Sequence, residues 1–231
     1  MDKPIHIAGV PEHFNLPWHL ALEEGAFSSR GIDLAWTDVP EGTGRMAGML
    51  SSGETDLAVI LTEGLVKAVS AGTPAVIAQE YIASPLLWGI HVASSSPYKI
   101  EEDLRAKTAA ISRYGSGSHL MAFVHARQKG WPLEDLDFKV VHTLEGAVEE
   151  LSEGKADYFM WEKFTTQPLV DRGVFRRVGV CPTPWPCFVI ASTKAFAREH
   201  PGVLKDILEI INVYTLEFKQ IPSIDRTLAN R

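Results

Sequence analysis

The chain has 231 residues, of which 45% are hydrophobic and 22% are charged, so it can bury one large core or two small ones. Its formal net charge of -7 and its lack of a lysine and arginine cluster exclude a nucleic-acid surface, which requires concentrated positive charge. No apolar run approaches the roughly 20 residues that a membrane-spanning helix needs. We therefore expect a globular protein that has no nucleic-acid partner.

The first residues run directly into a strand pattern, with no charged segment, apolar segment and small-residue cleavage site ahead of it. As written, the sequence predicts a cytoplasmic protein. The same chain trimmed of a signal peptide would instead be periplasmic, so the prediction applies to the sequence as given.

Three strand, loop and helix units follow one another in the first 72 residues. Glycines at positions 25, 53 and 72 end the three helices. This βαβαβα order favours a parallel sheet with helices on both faces. The predicted strands are residues 5–10, 32–36 and 56–61, and the helices are residues 16–24, 46–52 and 65–71.

Two further strands, residues 75–80 and 87–93, precede a polar break at residues 94–97. The α/β alternation then resumes, which predicts a second lobe with its own core. We assign residues 1–92 to lobe I, residues 93–186 to lobe II and residues 187–231 to a return to lobe I. The later strands are 108–111, 138–141, 156–161 and 188–192, and the helices are 117–129, 144–152 and an amphipathic helix over 203–218.

The sequence ISRYGSGSH, residues 111–119, is the clearest candidate for a ligand site. A strand that passes through Gly and Ser into a helix directs unpaired N–H groups and the positive end of the helix dipole at its surroundings. Arg113 adds a cationic guanidinium group and His119 a group that titrates near neutral pH. A simple helix cap made of serines is the alternative interpretation.

Four other loops also follow strands and precede helices or turns, namely residues 11–15, 42–44, 62–64 and 161–163. In open α/β sheets the ligand site lies beyond the carboxyl ends of the strands. With two lobes, we expect these loops to face one another across a cleft that closes on a small molecule.

Several longer segments carry a resemblance to a known family: residues 21–36 (ALEEGAFSSRGIDLAW), 51–61 (SSGETDLAVIL), 153–162 (EGKADYFMWE) and 188–204 (FVIASTKAFAREHPGVL). With the GSGSH loop, they make the chain resemble the NMT1/THI5-like group of type 2 periplasmic binding proteins. This group is related to ABC-transporter substrate-binding proteins for sulfonates and pyrimidine precursors. Within it, the chain is most similar to signal-less proteins related to a fungal thiamine-biosynthesis protein.

The resemblance implies an α/β fold of two lobes, each a mostly parallel sheet flanked by helices, with hinge strands at about residues 88–93 and 187–192. It also implies a monomer, a small-molecule ligand and an ABC-transporter permease as partner. The alternative is an enzyme of thiamine-precursor metabolism on the same fold. The pyrimidine-synthase branch of the group carries a cysteine-rich motif that Cys181 and Cys187 do not match.

Metal and nucleophilic chemistry find little support in the sequence. Cys181 and Cys187 flank three prolines, a spacing that fits neither a CxxC motif nor a zinc set, so we expect two buried thiols, with a disulfide as the alternative. The histidines show no metal-ligand spacing, and GSGSH is not the GxSxG elbow of a hydrolase. We therefore predict no metal site, no cofactor and no catalytic residue. The alternative is an enzyme that excludes water from its site and uses Glu12, His13 or His119 as acid or base.

The candidate ligand contacts combine three chemistries. The carboxylates of the glutamates in these loops favour an amine or an aminopyrimidine as ligand, unless they form ion pairs with Arg45, Arg113 or Lys163. Helix N-termini and Arg113 favour a sulfonate, phosphate or carboxylate, and the aromatic rings suit a planar ligand; Trp18 is assigned instead to the core. The predicted contacts are Glu12, His13, Phe14, Thr43, Thr62 and Glu63 in lobe I and Arg113, Ser116, Gly117, Ser118, His119, Trp161 and Glu162 in lobe II.

Overall fold

The computed structural model describes residues 3–221, and within them the chain forms two compact units. The first unit joins the residues up to Ala83 with those from Pro186 onward, and the second runs from Ser84 to Trp185. The strands are β1 (Ile5–Gly9), β2 (Leu34–Asp38), β3 (Leu57–Leu61), β4 (Ala75–Ile82), β5 (Leu87–Ala93), β6 (Thr108–Ile111), β7 (Asp137–Val140), β8 (Tyr158–Glu162), β9 (Phe175–Pro182) and β10 (Phe188–Thr193). The helices are α1 (Leu16–Glu23), α2 (Thr43–Ser52), α3 (Thr62–Ser70), α4 (Gly117–Gln128), α5 (Leu144–Ser152), α6 (Gln167–Asp171), α7 (Lys194–Glu199) and α8 (Pro201–Phe218).

The sheet of the first unit has the order β2-β1-β3-β10-β4. Strand β1 pairs in parallel with β2 and β3, whereas β10 runs antiparallel between β3 and β4. Four strands therefore point the same way and one is reversed. The reversed strand is the one that the chain forms after it returns from the second unit.

The sheet of the second unit repeats this plan in the order β7-β6-β8-β5-β9. Strand β6 pairs in parallel with β7 and β8, and β5 runs antiparallel between β8 and β9. Here the reversed strand is the one that the chain forms as it enters the unit. The predicted fold class is confirmed, with one antiparallel strand in each mostly parallel sheet.

Alternating side chains place a hydrophobic layer on each face of each sheet. On β1, Ile7 faces a cluster that contains Trp18 and Ile207, and Ala8 faces the cluster of Met46 and its neighbours. In the second unit, the same alternation separates the Ile90 cluster from the Phe159 cluster. Trp18 is fully buried, as predicted. Helices therefore cover both faces of each sheet.

The unit boundary differs from the predicted lobe boundary. The sequence assigned residues 84–92 to lobe I, whereas β5 lies inside the second sheet. The reason is its backbone pairing, because β8 and β9 bond to its two edges. The polar break at residues 94–97 follows the strand of a unit already begun, so it is a turn and not a boundary.

Strand β9 was not predicted. Its sequence, FRRVGVCP, interrupts the apolar pattern with two arginines and a glycine. The strand extends to Pro182, and Cys181 pairs with Trp88 inside the sheet, so the chain leaves the second unit only after this strand. As an edge strand, β9 tolerates polar residues that a central parallel strand excludes. Among the described residues, no helix is long and apolar enough to cross a membrane.

Candidate functional site

In the first unit, the helices after β2 and β3 meet at their first turns. The methyl group of Thr43 occupies the space that a side chain at Gly64 would need. Neither α2 nor α3 has a side chain that caps its first N–H groups. The structure therefore brings Thr43 together with the Thr62 and Glu63 turn, as expected for loops at the carboxyl ends of neighbouring strands.

The hydroxyl and the N–H of Thr62 both form hydrogen bonds within the first unit. Its hydroxyl donates to the carbonyl oxygen of Pro186 at 2.5 Å, and its N–H donates to the carbonyl of Cys187 at 3.1 Å. Only 8% of the residue is exposed. These bonds join the start of α3 to the start of β10, so the interpretation of Thr62 as a ligand contact is weakened.

The loop after β1 is fixed at its base and exposed at its tip. Asn15 is fully buried and donates from Nδ2 to the carbonyl of Val10 at 2.8 Å. Phe14 packs against Phe188, with ring centroids 4.6 Å apart. Glu12 and His13 are exposed at the tip of the loop. Of the three predicted residues in this loop, Phe14 therefore contributes mainly to packing, whereas Glu12 and His13 are available to a ligand.

In the second unit, serine hydroxyls form a compact cluster at the start of α4. Ser116 caps the helix, with its Oγ 3.3 Å from the N–H of His119. Ser118 Oγ accepts from the N–H of Ser112 at 3.0 Å and lies 3.0 Å from Ser116 Oγ. All three serines are at most 6% exposed. The hydroxyls therefore shape the loop, and because Ser116 already caps the N–H of His119, the N–H groups that remain for a ligand at the helix start are those of Gly117 and Ser118.

Arg113 and His119 differ in what holds them. Arg113 is exposed and forms no ion pair with any residue that the structure describes. His119 Nδ1 accepts from the N–H of Gly115 at 3.0 Å, and its ring packs edge-on against Phe138. Arg113 is thus the cation available at this loop, whereas His119 supports the loop from inside.

Two tryptophans lie beside this cluster. A Cβ atom at Gly117 would lie 2.7 Å from Cη2 of Trp88, so the indole ring packs directly on the first turn of α4. Trp161 is in edge-on contact with Trp88, at 6.3 Å between centroids, and stacks on Phe159. Trp88 was not predicted as a site residue, because it lies at the start of an apolar strand and sequence alone does not distinguish it from the core.

The carboxylate of Glu162 is occupied by the turn that follows β8. It accepts from the N–H groups of Phe164 at 2.9 Å and Thr165 at 2.7 Å, and from the hydroxyl of Thr165 at 2.8 Å. The alternative interpretation, an ion pair with Lys163, is not among the salt bridges of the described residues. We therefore assign Glu162 to the support of this turn and not to the first contacts of a ligand.

Two exposed aromatic residues were missed. Tyr114 is 64% exposed in the loop after β6, and Phe164 is 69% exposed in the turn after β8. Because β6 and β8 are neighbours in the sheet, both loops leave the same edge. An aromatic residue within a polar loop after a strand is the signal that could have indicated them.

The described residues contain no group of three or more His, Cys, Asp or Glu side chains that could hold a metal ion. Cys181 and Cys187 are both buried thiols that are not joined in a disulfide, so the expectation of two buried thiols is confirmed. Burial raises the pKa of the Cys181 thiol to about 11, and the nearby Glu101 carboxylate acts in the same direction.

Comparisons with known proteins agree with this architecture. A family model described as Ca3427-like PBP, a periplasmic binding protein family, matches residues 88–181. The solved structure of the Candida albicans CA3427 gene product, described as defining a new family with the generic periplasmic binding protein fold, is 27% identical, with a TM-score of 0.75. The match covers 94% of this chain and 72% of that one. No curated protein sequence matches the chain.

Two sulfonate-binding proteins share the fold at lower identity. The Escherichia coli periplasmic aliphatic sulphonate binding protein SsuA is 18% identical, with a TM-score of 0.72 over 95% of this chain and 75% of its own. The Xanthomonas axonopodis alkanesulfonate-binding protein SsuA, bound to MOPS, is 17% identical, with a TM-score of 0.65 over 99% of this chain and 84% of its own. Membership of the NMT1/THI5-like group stays a prediction. The chain has the two-lobed α/β fold of the periplasmic binding proteins.

Proposed function

We propose that this chain is a solute-binding protein, and that the loops at the carboxyl ends of its parallel strands bind a small polar organic molecule. The observation that carries the proposal is the start of α4, where a buried serine cluster holds the backbone and Arg113 stays unpaired among the described residues. The fold and the sulfonate-binding neighbours support the same role.

The chemistry of the loops favours a ligand with an anionic group. The N–H groups at the start of an α-helix carry partial positive charge, and the 12-residue α4 has this end beside Arg113. A sulfonate or carboxylate is thus the group we assign to the second unit. In the first unit, Glu12 and Glu63 suit a donor group such as an amine or an aminopyrimidine nitrogen.

Native mass spectrometry of the purified protein, compared with its denatured mass, is the first test. We expect an added mass of a small organic solute that is released unchanged. Calorimetry with MOPS, ethanesulfonate and 4-aminopyrimidine then assigns the class. A protein that retains no solute and gives no binding heat with any of the three compounds contradicts the proposal.

The variant Arg113→Gln tests the anion subsite. We expect a loss of about 10- to 100-fold in affinity for the sulfonates, because a charged hydrogen bond contributes roughly 1.5–3 kcal/mol. Arg105→Gln is the matched control, since Arg105 is also exposed in the second unit but precedes β6 rather than following it. Equal affinities for the two variants would remove Arg113 from the site.

An enzyme of thiamine-precursor metabolism is the alternative, and a thiamine-type hydroxymethylpyrimidine incubated with the protein distinguishes the two. Recovery of the compound unchanged supports a binder, whereas conversion supports the enzyme. A permease partner and a monomeric state belong to the same proposal. Light scattering tests the latter against the monomer mass of 25.5 kDa.

A further inference from the structure

The turn of residues 162–167 begins at the last residue of β8, and the side chain of an arginine holds it. The guanidinium group of Arg177, on β9, donates to the carbonyl of Lys163 at 2.8 Å and to Oε1 of Gln167 at 2.8 Å. It therefore contacts this turn near both of its ends. None of the salt bridges of residues 3–221 includes Arg177. Its charge is directed at neutral acceptors of the turn rather than at a carboxylate.

A buried histidine completes the contact. His91, on β5, is fully buried, and its Nε2 lies 2.9 Å from the hydroxyl of Thr166 and 3.3 Å from Nε of Arg177. Its Nδ1 lies 3.3 Å from the carbonyl of Phe159. Because the arginine N–H can only donate and the carbonyl can only accept, the geometry selects neutral His91 with its hydrogen on Nδ1.

Gly89 leaves space for this pair. A Cβ atom at position 89 would lie 2.7 Å from Nε2 of His91 and 3.0 Å from Nε of Arg177. A side chain there would displace both groups. Burial and the charge of Arg177 also lower the pKa of His91 to about 4, in agreement with a neutral ring.

The turn that is held in this way presents exposed groups. Phe164 is 69% exposed, and the ammonium group of Lys163 lies 5.5 Å from the centre of its ring. Glu162, Thr165 and Thr166 make their hydrogen bonds within the turn or to His91. The residues that remain for an external partner are therefore Lys163 and Phe164.

We propose that His91 and Arg177 are positioning residues, which hold the 162–167 turn in one conformation so that Lys163 and Phe164 bind the solute. This inference rests on the proposed function and adds a recognition element to it. The turn supplies a cation and an aromatic face side by side, a combination that suits an anionic ligand with an apolar or planar part.

The chain offers a matched pair of variants. Arg176, the preceding residue, donates to the carbonyls of Ser94, Ser96 and Tyr98, so it ties another part of the same unit. We expect Arg177→Gln and Arg176→Gln to lower the stability of the unit to a similar extent. Only Arg177→Gln should speed hydrogen exchange at the amides of Phe164 and Thr165 and weaken MOPS binding, each by about tenfold or more.

Two further measurements make the test specific to positioning. Long-range nitrogen NMR of the wild-type protein should show His91 with its hydrogen on Nδ1. Arg177→Lys should restore little of the binding, because a single ammonium group does not reproduce the planar arrangement of three donors. Three results would each overturn the proposal. They are a His91 ring that carries its hydrogen on Nε2, unchanged amide hydrogen exchange in the turn of Arg177→Gln, and an equal loss of MOPS affinity in the two glutamine variants.

The proposed function can fail separately. If the wild-type protein binds none of MOPS, ethanesulfonate and 4-aminopyrimidine, the assignment of a solute to this turn is overturned. Amide hydrogen exchange at Phe164 and Thr165, compared between the wild-type protein and Arg177→Gln, then still shows whether Arg177 holds the turn.

Discussion

Gly117 and Trp88 are in direct contact, with the position of a Cβ atom at residue 117 only 2.7 Å from Cη2 and 3.0 Å from Cζ2 of the indole ring. Such a Cβ atom needs space that the ring already fills. We expect Gly117→Ala to lower the free energy of unfolding by about 1–3 kcal/mol, because the buried ring must move. Urea denaturation measures the change.

Gly48→Ala is the control for this substitution. Gly48 lies within α2, and no atom is found within 4 Å of a Cβ atom at that position. Alanine there should raise stability by up to about 1 kcal/mol through its helix propensity. If Gly117→Ala were as stabilising as Gly48→Ala, the contact with Trp88 would not constrain the start of α4.

Ser118→Ala should act mainly on stability. Its hydroxyl oxygen accepts from the buried N–H of Ser112, and the substitution leaves that N–H without this acceptor. We expect a loss of about 1–3 kcal/mol, measured by thermal and urea unfolding. Ser152→Ala, at an exposed position at the end of α5, should change stability by less than about 0.5 kcal/mol. A neutral Ser118→Ala would show that the serine cluster does not hold the loop.

Stability should depend on pH through His91. Its pKa is lowered from 6.5 to about 4 in the folded chain by burial and by Arg177, so the unfolded chain binds more protons between these values. As the pH falls from 6.5 to 4, the free energy of unfolding should therefore decrease by up to about 3 kcal/mol from this group.

The variant His91→Gln isolates this contribution. The carboxylates and His125, whose pKa is also lowered by burial, titrate in both proteins and cancel in the difference. The variant should have a flatter stability profile between pH 6.5 and 4, a window set by the pKa of His91. Parallel profiles for the two proteins would be incompatible with a neutral, buried His91.

Cys181 should resist alkylation in the folded protein. It is 2% exposed, and burial raises its thiol pKa to about 11, so little of the reactive thiolate is present at neutral or mildly alkaline pH. Iodoacetamide followed by peptide mass spectrometry should show modification only after unfolding in urea. Rapid labelling of native Cys181 would mean that β9 opens readily at the edge of its sheet.

Much of the fold could be predicted from local patterns. The three strand and helix repeats before residue 72 alternate apolar and polar positions at the correct spacings, and glycines end the helices. Strand β9 could not be predicted, because Arg176 and Arg177 use hydrogen-bond partners that lie 10 to 86 residues away in sequence. Its pairing with β5 is equally long-range.

The candidate site was only partly accessible from the sequence for the same reason. The loop of Ser116 and Ser118 could be located because a strand, a Gly and Ser segment and a helix are consecutive. That Glu162 binds its own turn, and that Trp88 lies on Gly117, depends on geometry that residue types do not determine. The sequence thus locates the loops, but it does not show which of their residues hold the loop and which are exposed to a ligand.

The reversed strand β10 has a consequence for the order in which the protein is made. It pairs on one side with β3 and on the other with β4, so strand β4 joins the rest of the first sheet only when residues 188–193 are available. The second unit, a continuous segment, has by then been synthesised in full. On the ribosome, the second unit can therefore complete its sheet before the first unit does.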